Sequence, residues 1–507
     1  MPEQLQLKSH KPGDDITIMN TLCKNFKDNH ERTHEGLILV YKDNTTGLKY
    51  KEEIEDPLYT YYIAKPDARV SYNRLFEEKD KLEPVEAVHR YIDKDIAENT
   101  GNMRFYKDNQ TTGNFRENAK LHAIPDVFRS DMNIEDYYRF LFSKTYTNEP
   151  GPVTKSYLDI EVDTLYMSGD FPEPGECPVN AVTLILPYMN KVFTFLLEED
   201  RNPQIIDFKK SVEDGSVFPE LKAFVINAVG GQERAEHFGI DKFEYNFLIY
   251  QKHKEIYLIK DVFAAINNFK PDFCLAWNMS FDIPYLIARI QRLGARPEEI
   301  ICHPDFNLKY CDYFVDERMK NELAERGDFA NISSYTVYID QMIQYASRRK
   351  GRSRPLSFSL DYTGETVAKV KKLDYKHITT NISELPYKDY KTFVFYNIMD
   401  VVVQVCIEAK TGDIDYMFSK SIVNNTRYSK VHRQTVYLTN RGIKEFDKSG
   451  LIMGNNVNKF NPPPTDKFPG AFVADMTRIK DTSKMRICGI PISVFDNLND
   501  FDRRIVA

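Results

Sequence analysis

The sequence lacks the paired cysteines that hold a zinc ion or a disulfide framework. Its seven cysteines are scattered, and no two of them have C-x-x-C spacing. Cys302, His303 and Cys311 come nearest to a zinc site, but a fourth ligand at normal spacing is missing. The scattered cysteines favour a reducing compartment, so we expect a cytoplasmic protein.

An excess of positive charge and long apolar runs are also missing. The formal net charge of the 507 residues is −7, so nucleic-acid binding would need a local basic surface. No run of 18 apolar residues is present, and no membrane span or signal peptide is expected. Hydrophobic residues make up 42% of the chain, which is ample for the buried cores of two to four domains.

One short stretch, residues 157–162 (Tyr-Leu-Asp-Ile-Glu-Val), predicts a β-strand with two carboxylates on one face. Side chains alternate along a strand, so Asp159 and Glu161 share a face and Leu158, Ile160 and Val162 share the other. Adjacent carboxylates repel each other, and a divalent cation bound to their oxygens would remove that cost. Alone, an Asp-x-Glu pair is more simply explained as a half-buried strand with its acids in water.

A second acidic group follows a predicted strand at residues 273–277. Asn278 and Asp282 come directly after this strand, and Pro284 is expected in the first turn of the next helix. Asp282 alone is explained by a helix cap. The functional alternative is an acid at the carboxyl end of a strand, where α/β sheets often gather their sites.

A third group lies on a helix predicted from about Tyr387 to Ala409. Tyr396 and Asp400 are four residues apart and therefore share one face of this helix. The simpler interpretation is a core helix with an exposed tyrosine and aspartate.

Other segments predict the organisation around these groups. The predicted elements are a hairpin at 36–53, strands at 58–64, 179–186 and 191–197, and helices near 135–143 and 255–269. Residues 200–245 are interpreted as charged and irregular, and 356–360 as the start of a packed segment. The basic run at 348–354 is either a solvated loop or a phosphate contact.

Taken together and in this order, the three acidic groups resemble the exonuclease motifs of family B DNA polymerases. Residues 156–162 resemble the first motif, 270–289 the second and 396–401 the third. Residues 357–361 resemble the serine-leucine segment that precedes the third motif. The closest likeness is to the tailed-bacteriophage branch, which would place the protein in the cytoplasm of a bacterial host.

The resemblance implies a ribonuclease-H-like 3′–5′ proofreading exonuclease and a role for each site residue. Asp159, Glu161 and Asp400 would hold two Mg²⁺ (or Mn²⁺) ions, and Asp282 would complete the acidic set. Tyr396 would orient the attacking water. Asn278 and Phe281 would contact the substrate, a single-stranded or frayed 3′ end of DNA, and the product would be a deoxynucleoside monophosphate.

The fold class expected is α/β, in four segments. They are an N-terminal domain (residues 1–150), the exonuclease domain (151–412), a helical return to the N-terminal domain (413–460) and the start of a polymerase palm (461–507).

The last segment resembles the family only in part. Residues 470–473 (Gly-Ala-Phe-Val) and Phe501-Asp502 fit the approach to the first polymerase motif, whereas 503–507 depart from it. The resemblance therefore implies a DNA-directed DNA polymerase that is interrupted within this motif. Either the gene is split and a second chain supplies the rest of the palm, the fingers and the thumb, or an inserted intron or intein follows codon 502. A sliding clamp and other replisome proteins are further expected partners.

Two other functions stay open at this point. One is a free-standing 3′–5′ DNA exonuclease, which the palm-like segment disfavours. The other is a non-catalytic DNA-binding assembly module, which has no need for four acids and a tyrosine in this order.

Overall fold

The computed structural model describes residues 5–68, 76–107, 118–165, 167, 172–198, 202–315, 323–326, 330–350, 354–455, 486–487 and 490–491. Residues 1–456 form one compact unit and 457–507 form another. The palm-like residues 470–473 and 501–502 lie outside the described part of the chain.

The helices and strands follow in chain order. The strands are β1 (Ile16–Lys27), β2 (Thr33–Asp43), β3 (Lys49–Glu55), β4 (Leu58–Ala64), β5 (Phe76–Glu78), β6 (Leu82–Val88), β7 (Val127–Phe128), β8 (Lys155–Val162), β9 (Val179–Leu186), β10 (Lys191–Leu197), β11 (Glu244–Tyr250), β12 (Phe273–Ala276), β13 (Tyr313–Val315), β14 (Ala330–Ile332), β15 (Val337–Asp340), β16 (Leu451–Met453), β17 (Arg486–Ile487) and β18 (Ile490–Pro491). The helices are α1 (Ile92–Asn99), α2 (Ala119–His122), α3 (Ile134–Thr145), α4 (Pro203–Glu213), α5 (Val217–Ala228), α6 (Gln232–Phe238), α7 (Glu255–Phe269), α8 (Met279–Arg292), α9 (Pro297–Ile301), α10 (Gln341–Arg348), α11 (Leu360–Thr363), α12 (Leu385–Lys388), α13 (Tyr390–Thr411), α14 (Asp413–Asn424) and α15 (Gln434–Lys448).

A six-stranded mixed sheet in the order β11-β10-β9-β8-β12-β15 forms the centre of the larger unit. The strands β8, β9 and β10 make an antiparallel meander, while β12 runs parallel to both β8 and β15. Every residue of β9 and β12 is buried, which is typical of strands covered on both faces. The sheet and its helices confirm the α/β class and are consistent with a ribonuclease-H-like fold.

The parallel pairing of β8 and β12 positions the acidic groups. The register aligns Leu275 with Tyr157, so both strands end at the same edge of the sheet. Asp159 and Glu161 therefore lie near Asn278 and Asp282, although more than 100 residues separate them in the sequence.

The N-terminal strands form the predicted hairpin. β2 pairs with β3 over Gly36–Lys42, and β1 pairs with the other edge of β2. Farther along, β16 pairs with β5, so the chain after α15 returns to strands of the first 150 residues. The domain limits given above stay predictions.

Three short helices occupy the segment that the sequence analysis interpreted as irregular, so that interpretation was wrong. They are α4, α5 and α6, and each buries only two or three apolar side chains. Those side chains are Ile205 and Phe208, then Val217, Leu221 and Val225, then Ala235 and Phe238. With so few apolar side chains among charged residues, the helical spacing of apolar residues was too weak to recognise in the sequence.

Three further expectations need correction. Helix α8 begins at Met279, so Pro284 lies inside the helix and not in its first turn. The long helix predicted from Tyr387 is interrupted at Asp389, whose side chain accepts a hydrogen bond from Thr392 and caps α13. Leu356, expected to begin a packed segment, is exposed.

Helix α13 is long and apolar enough, by composition, to cross a membrane. However, 89% of its most apolar window is buried inside the protein, and the helix packs against the central sheet. Its apolar surface is therefore that of a core helix.

Candidate active site

A cavity of about 510 Å³ opens at the carboxyl ends of β8 and β12. All seven site residues expected from the sequence line it. The lining residues are Asp159, Ile160, Glu161, Trp277, Asn278, Phe281, Asp282, Met342, Phe358, Ser359, Leu360, Lys372, Tyr396 and Asp400. The volume is that of an ordinary small-ligand pocket.

Three carboxylates converge in this cavity. One oxygen from each of Asp159, Glu161 and Asp400 lies within 4.8 Å of the others. Asp282 lines the cavity beside them from the first turn of α8 and is buried. Acids from a strand and from two helices therefore meet on one wall.

Hydrogen bonds tie α13 to the strands and fix this convergence. Thr183 on β9 donates to Asn397 (2.6 Å), and Asn397 donates in turn to Asp159 Oδ2 (3.1 Å). One helical turn beyond Asp400, Gln404 donates to the carbonyl of Leu158 (3.3 Å). Asn397, to which the sequence analysis gave no role, thus orients one carboxylate and anchors the helix that carries another.

Lys372 brings a cation into the acidic wall. Its ammonium donates to Asp400 Oδ2 and lies 3.3 Å from the Tyr396 hydroxyl. The sequence analysis missed this residue, because a lysine beside Lys371 in a charged segment has no pattern that separates it from a solvated one.

Burial raises the pKa of each of the four carboxyl groups in this cavity. Burial, then the neighbouring Asp400, raises the pKa of Asp159 to about 8, although Lys372 opposes the shift. Burial likewise raises the pKa of Glu161 and Asp282 well above the ordinary range, with Asp159 adding to both shifts. Burial also raises the pKa of Asp400, against the effect of Lys372.

The donor set fits a divalent cation such as Mg²⁺ or Mn²⁺. Hard cations of this kind take carboxylate oxygens, and here three carboxylates already face one point. Moreover, Asp400 Oδ1 is buried and has no hydrogen-bond partner among the described residues, so it is available to a ligand. A bound cation would also offset the burial, and the repulsion between acids, that disfavour the charged carboxylates.

A fifth acid, the buried Asp340, supports the helix that carries Asp282. It ends β15 and accepts hydrogen bonds from the backbone N–H of Met279 and of Ile343, each at 3.0 Å. It therefore caps the first turn of α8, which carries Asp282, as well as α10. Its charge also contributes to the raised pKa of Asp282.

The basic run has a structural role in its described part. Arg348 and Arg349 each contact the buried carboxylate of Asp413 at 2.7 Å, and Arg349 stacks on Tyr345. These two arginines join α10 to α14. Residues 351–353 lie outside the described residues, so phosphate contact there stays a prediction.

Comparison with known protein families gives one match. Residues 102–361 match the family model described as DNA polymerase family B, exonuclease domain, which is just over half of the chain. The matched range contains Asp159, Glu161 and Asp282, whereas Lys372 and α13 follow it. No curated protein sequence matches the chain.

Proposed function

The chain belongs to the exonuclease domains of family B DNA polymerases. We therefore propose that its pocket removes nucleotides from the 3′ end of DNA as a proofreading site. The observation that carries the proposal is the convergence of Asp159, Glu161 and Asp400 in one cavity with Tyr396. A DNA-binding module without catalysis has no use for clustered carboxylates of raised pKa.

Asp159, Glu161 and Asp400, with Asp282 beside them, would hold two Mg²⁺ or Mn²⁺ ions. Such ions, when bound, supply the charge that activates water and stabilises the leaving oxygen in phosphodiester hydrolysis. The carboxyl groups must lose their protons to bind these ions. The site therefore becomes active only when cations replace the protons.

The other residues orient the reactants. Tyr396 shares a face of α13 with Asp400, and we propose that its hydroxyl orients the attacking water. Asn278 and Phe281, which also line the cavity, hold the terminal nucleotide, since an aromatic ring can stack on a base. Attack on phosphorus breaks the bond to the 3′ oxygen of the shortened strand and releases a deoxynucleoside monophosphate.

We further propose that the nuclease serves a replicative polymerase of the tailed-bacteriophage type in the cytoplasm of its host. Residues 470–473 and 501–502 support this part by their resemblance to the approach to a palm. A second chain that carries polymerase domains and a sliding clamp are the partners that we propose for it.

The test is release of mononucleotides from a 3′-labelled single strand, with and without Mg²⁺. We expect metal-dependent release that falls by at least about a hundredfold in the double variant Asp159→Ala/Glu161→Ala. The matched control is Asp207→Ala/Glu213→Ala, which removes two exposed acids from α4 and leaves the activity intact. A folded wild-type protein without nuclease activity, alone and with a co-expressed second chain, would instead favour the assembly module.

A further inference from the structure

One edge of the central sheet, the outer side of β11, has no neighbouring strand in the described part of the chain. β11 is the last strand in the sheet order and pairs on its inner side with β10, in parallel register from Glu244 to Tyr250. The other edge of the sheet differs, because β15 is only four residues long and is wholly buried. We call the outer side of β11 the open edge.

The hydrogen bonds to β10 show which backbone groups point outward. The N–H of Glu244 donates to the carbonyl of Asn190 (2.8 Å), and the carbonyl of Tyr250 accepts from the N–H of Glu198 (2.7 Å). Because every second residue of a parallel strand directs its backbone groups at the same neighbour, the even-numbered residues of β11 face β10. The odd-numbered residues therefore direct three N–H groups and three carbonyls outward; they are Tyr245, Phe247 and Ile249.

Both faces of β11 are packed, so the open edge is held in place. Phe247 contacts Phe208 of α4 and Phe218 of α5, with ring centroids 5.3 and 5.8 Å apart. On the opposite face, the Tyr250 hydroxyl donates to Asp261 of α7 (2.5 Å). A partner strand would thus meet a preformed edge and would not have to order it.

β11 lacks the devices that usually protect an exposed edge strand, which are a proline, a bulge, a charge within the strand or a very short length. Its seven residues contain no proline, their register with β10 is unbroken, and the single charged residue, Glu244, stands at the beginning. All residues from 245 to 250 remain partly exposed, whereas β9 and β12 are wholly buried. The open edge therefore offers apolar side chains together with unpaired backbone groups.

The charges at the two ends of β11 indicate what a partner carries. At the amino end, Lys191 forms an ion pair with Glu244. At the carboxyl end, residues 251–254 (Gln-Lys-His-Lys) are all exposed, and the Lys254 ammonium forms no ion pair with any described residue. Opposite charges across an interface favour the right partner and fix its register, so a carboxylate at the end of an added strand would pair with Lys254.

We propose that the open edge of β11 is a docking site for another protein, which adds an extended segment that is apolar in its middle and acidic beside Lys254. The added strand would form main-chain hydrogen bonds with Tyr245, Phe247 and Ile249, and its side chains would pack beside theirs. This inference goes beyond the proposed exonuclease function, because no described residue of β11 lines the cavity that holds Asp159.

The binding test uses a fluorescent peptide of alternating valine and threonine with aspartates at both ends, so that either strand direction can pair. We expect saturable binding to the full chain, measured by fluorescence anisotropy. The same peptide with N-methylated backbone amides cannot form the ladder, and it should bind at least about tenfold more weakly. Replacing its aspartates by lysines should weaken binding by about fivefold.

Variants of the protein test the same contacts from the other side. Ile249→Pro removes one outward N–H, and proline is tolerated on an edge strand when its nitrogen faces away from the neighbouring strand. We expect this variant to bind the peptide at least about tenfold more weakly. The matched control Ile249→Thr also shortens the side chain but keeps the N–H, and it should bind within about twofold of the wild type. Lys254→Glu should weaken binding by about fivefold at low salt.

No saturable binding, or equal binding of the N-methylated peptide, would overturn the proposal, as would unchanged binding in a folded Ile249→Pro variant. Self-association of the full chain that Ile249→Pro abolishes would make a second copy the occupant and would overturn the acidic partner. All three variants should keep metal-dependent release of nucleotides from a single strand, so failure of the docking site and failure of the exonuclease proposal appear in separate assays.

Discussion

Lys372 balances the acidic wall before a metal ion binds. Burial disfavours its ammonium, but Asp400, Tyr396 and Asp159 outweigh burial and raise its pKa. The charged lysine therefore contacts a carboxylate, that of Asp400, which a cation would also use. Metal binding and the Lys372–Asp400 contact consequently compete for one carboxylate.

Replacing Lys372 by methionine should expose this competition. Lys372→Met leaves Asp400 without its cation, and because the lysine is partly exposed we expect a loss of about 1–2 kcal/mol of unfolding free energy without metal. Mn²⁺ should then raise the melting temperature more in the variant than in the wild type, because the ion has no competitor.

Thermal melts with EDTA or Mn²⁺ measure both effects. The matched control is Lys371→Met, which removes the neighbouring lysine that pairs with Glu365 on the surface. An Mn²⁺-induced shift no larger in Lys372→Met than in the wild type would show that the lysine does not compete with the metal.

Among single residues, the sequence predicted the site residues that belong to a motif. It missed the residues that support the site through hydrogen bonds to other elements. Asp159, Glu161 and Asp400 could be found because the three acidic groups, each placed on one face by strand alternation or helical spacing, resemble the family's motifs when they are taken in order. Lys372, Asn397 and Asp340 support them through hydrogen bonds that depend on tertiary packing. No local period marks a residue of that kind.

Among the elements, a short π-helix, Gly364–Ala368, follows α11 directly and leads to the segment that carries Lys372. It packs against α13 so closely that a β-carbon on Gly364 would lie 2.6 Å from Val403 Cγ1 and 2.7 Å from the carbonyl oxygen of Val370. Arg234 on α6 donates to the carbonyl of Ala368. The missed helices at 203–238 thus help to hold the segment that carries Lys372.

Gly364→Ala should therefore destabilise the protein by about 1–3 kcal/mol, because neither the backbone carbonyl nor the buried valine can easily move. The matched control is Gly442→Ala in α15, where the new β-carbon would lie 3.7 Å from Met453 Sδ, an ordinary contact. That variant should be neutral or stabilised by up to about 1 kcal/mol, as alanine favours a helix interior. Urea unfolding checks both, and equal stabilities would contradict the close packing.

Across the whole of the larger unit, Asp272 joins the N-terminal hairpin to the central sheet. Its buried carboxylate contacts Lys42 on β2 (3.0 Å) and Lys49 on β3 (2.9 Å). It also accepts a hydrogen bond from the backbone N–H of Thr154 (2.7 Å), directly before β8. The sequence predicted the hairpin and β12 separately, but contacts about 230 residues apart leave no local signal by which their docking could be foreseen.

Asp272→Asn should cost about 3 kcal/mol at neutral pH, because the two lysines would stay buried without their counter-charge. Although burial opposes it, Lys49 and Lys42 hold the pKa of Asp272 below its ordinary value. The carboxylate therefore stabilises the fold above its unfolded pKa of about 3.9, and this stabilisation is lost as the pH falls through the lower folded pKa. Burial lowers the pKa of Lys49 to about 8, so Asp272 and Lys49 are both charged at pH values between the folded pKa of Asp272 and about 8.

Urea unfolding at pH 6 and at about pH 3 measures the effect. The difference in unfolding free energy between Asp272→Asn and the wild type should shrink in acid, whereas the exposed control Asp207→Asn should stay within about 0.5 kcal/mol of the wild type at both pH values. A difference independent of pH would mean that Asp272 acts through its hydrogen bonds and not through its charge.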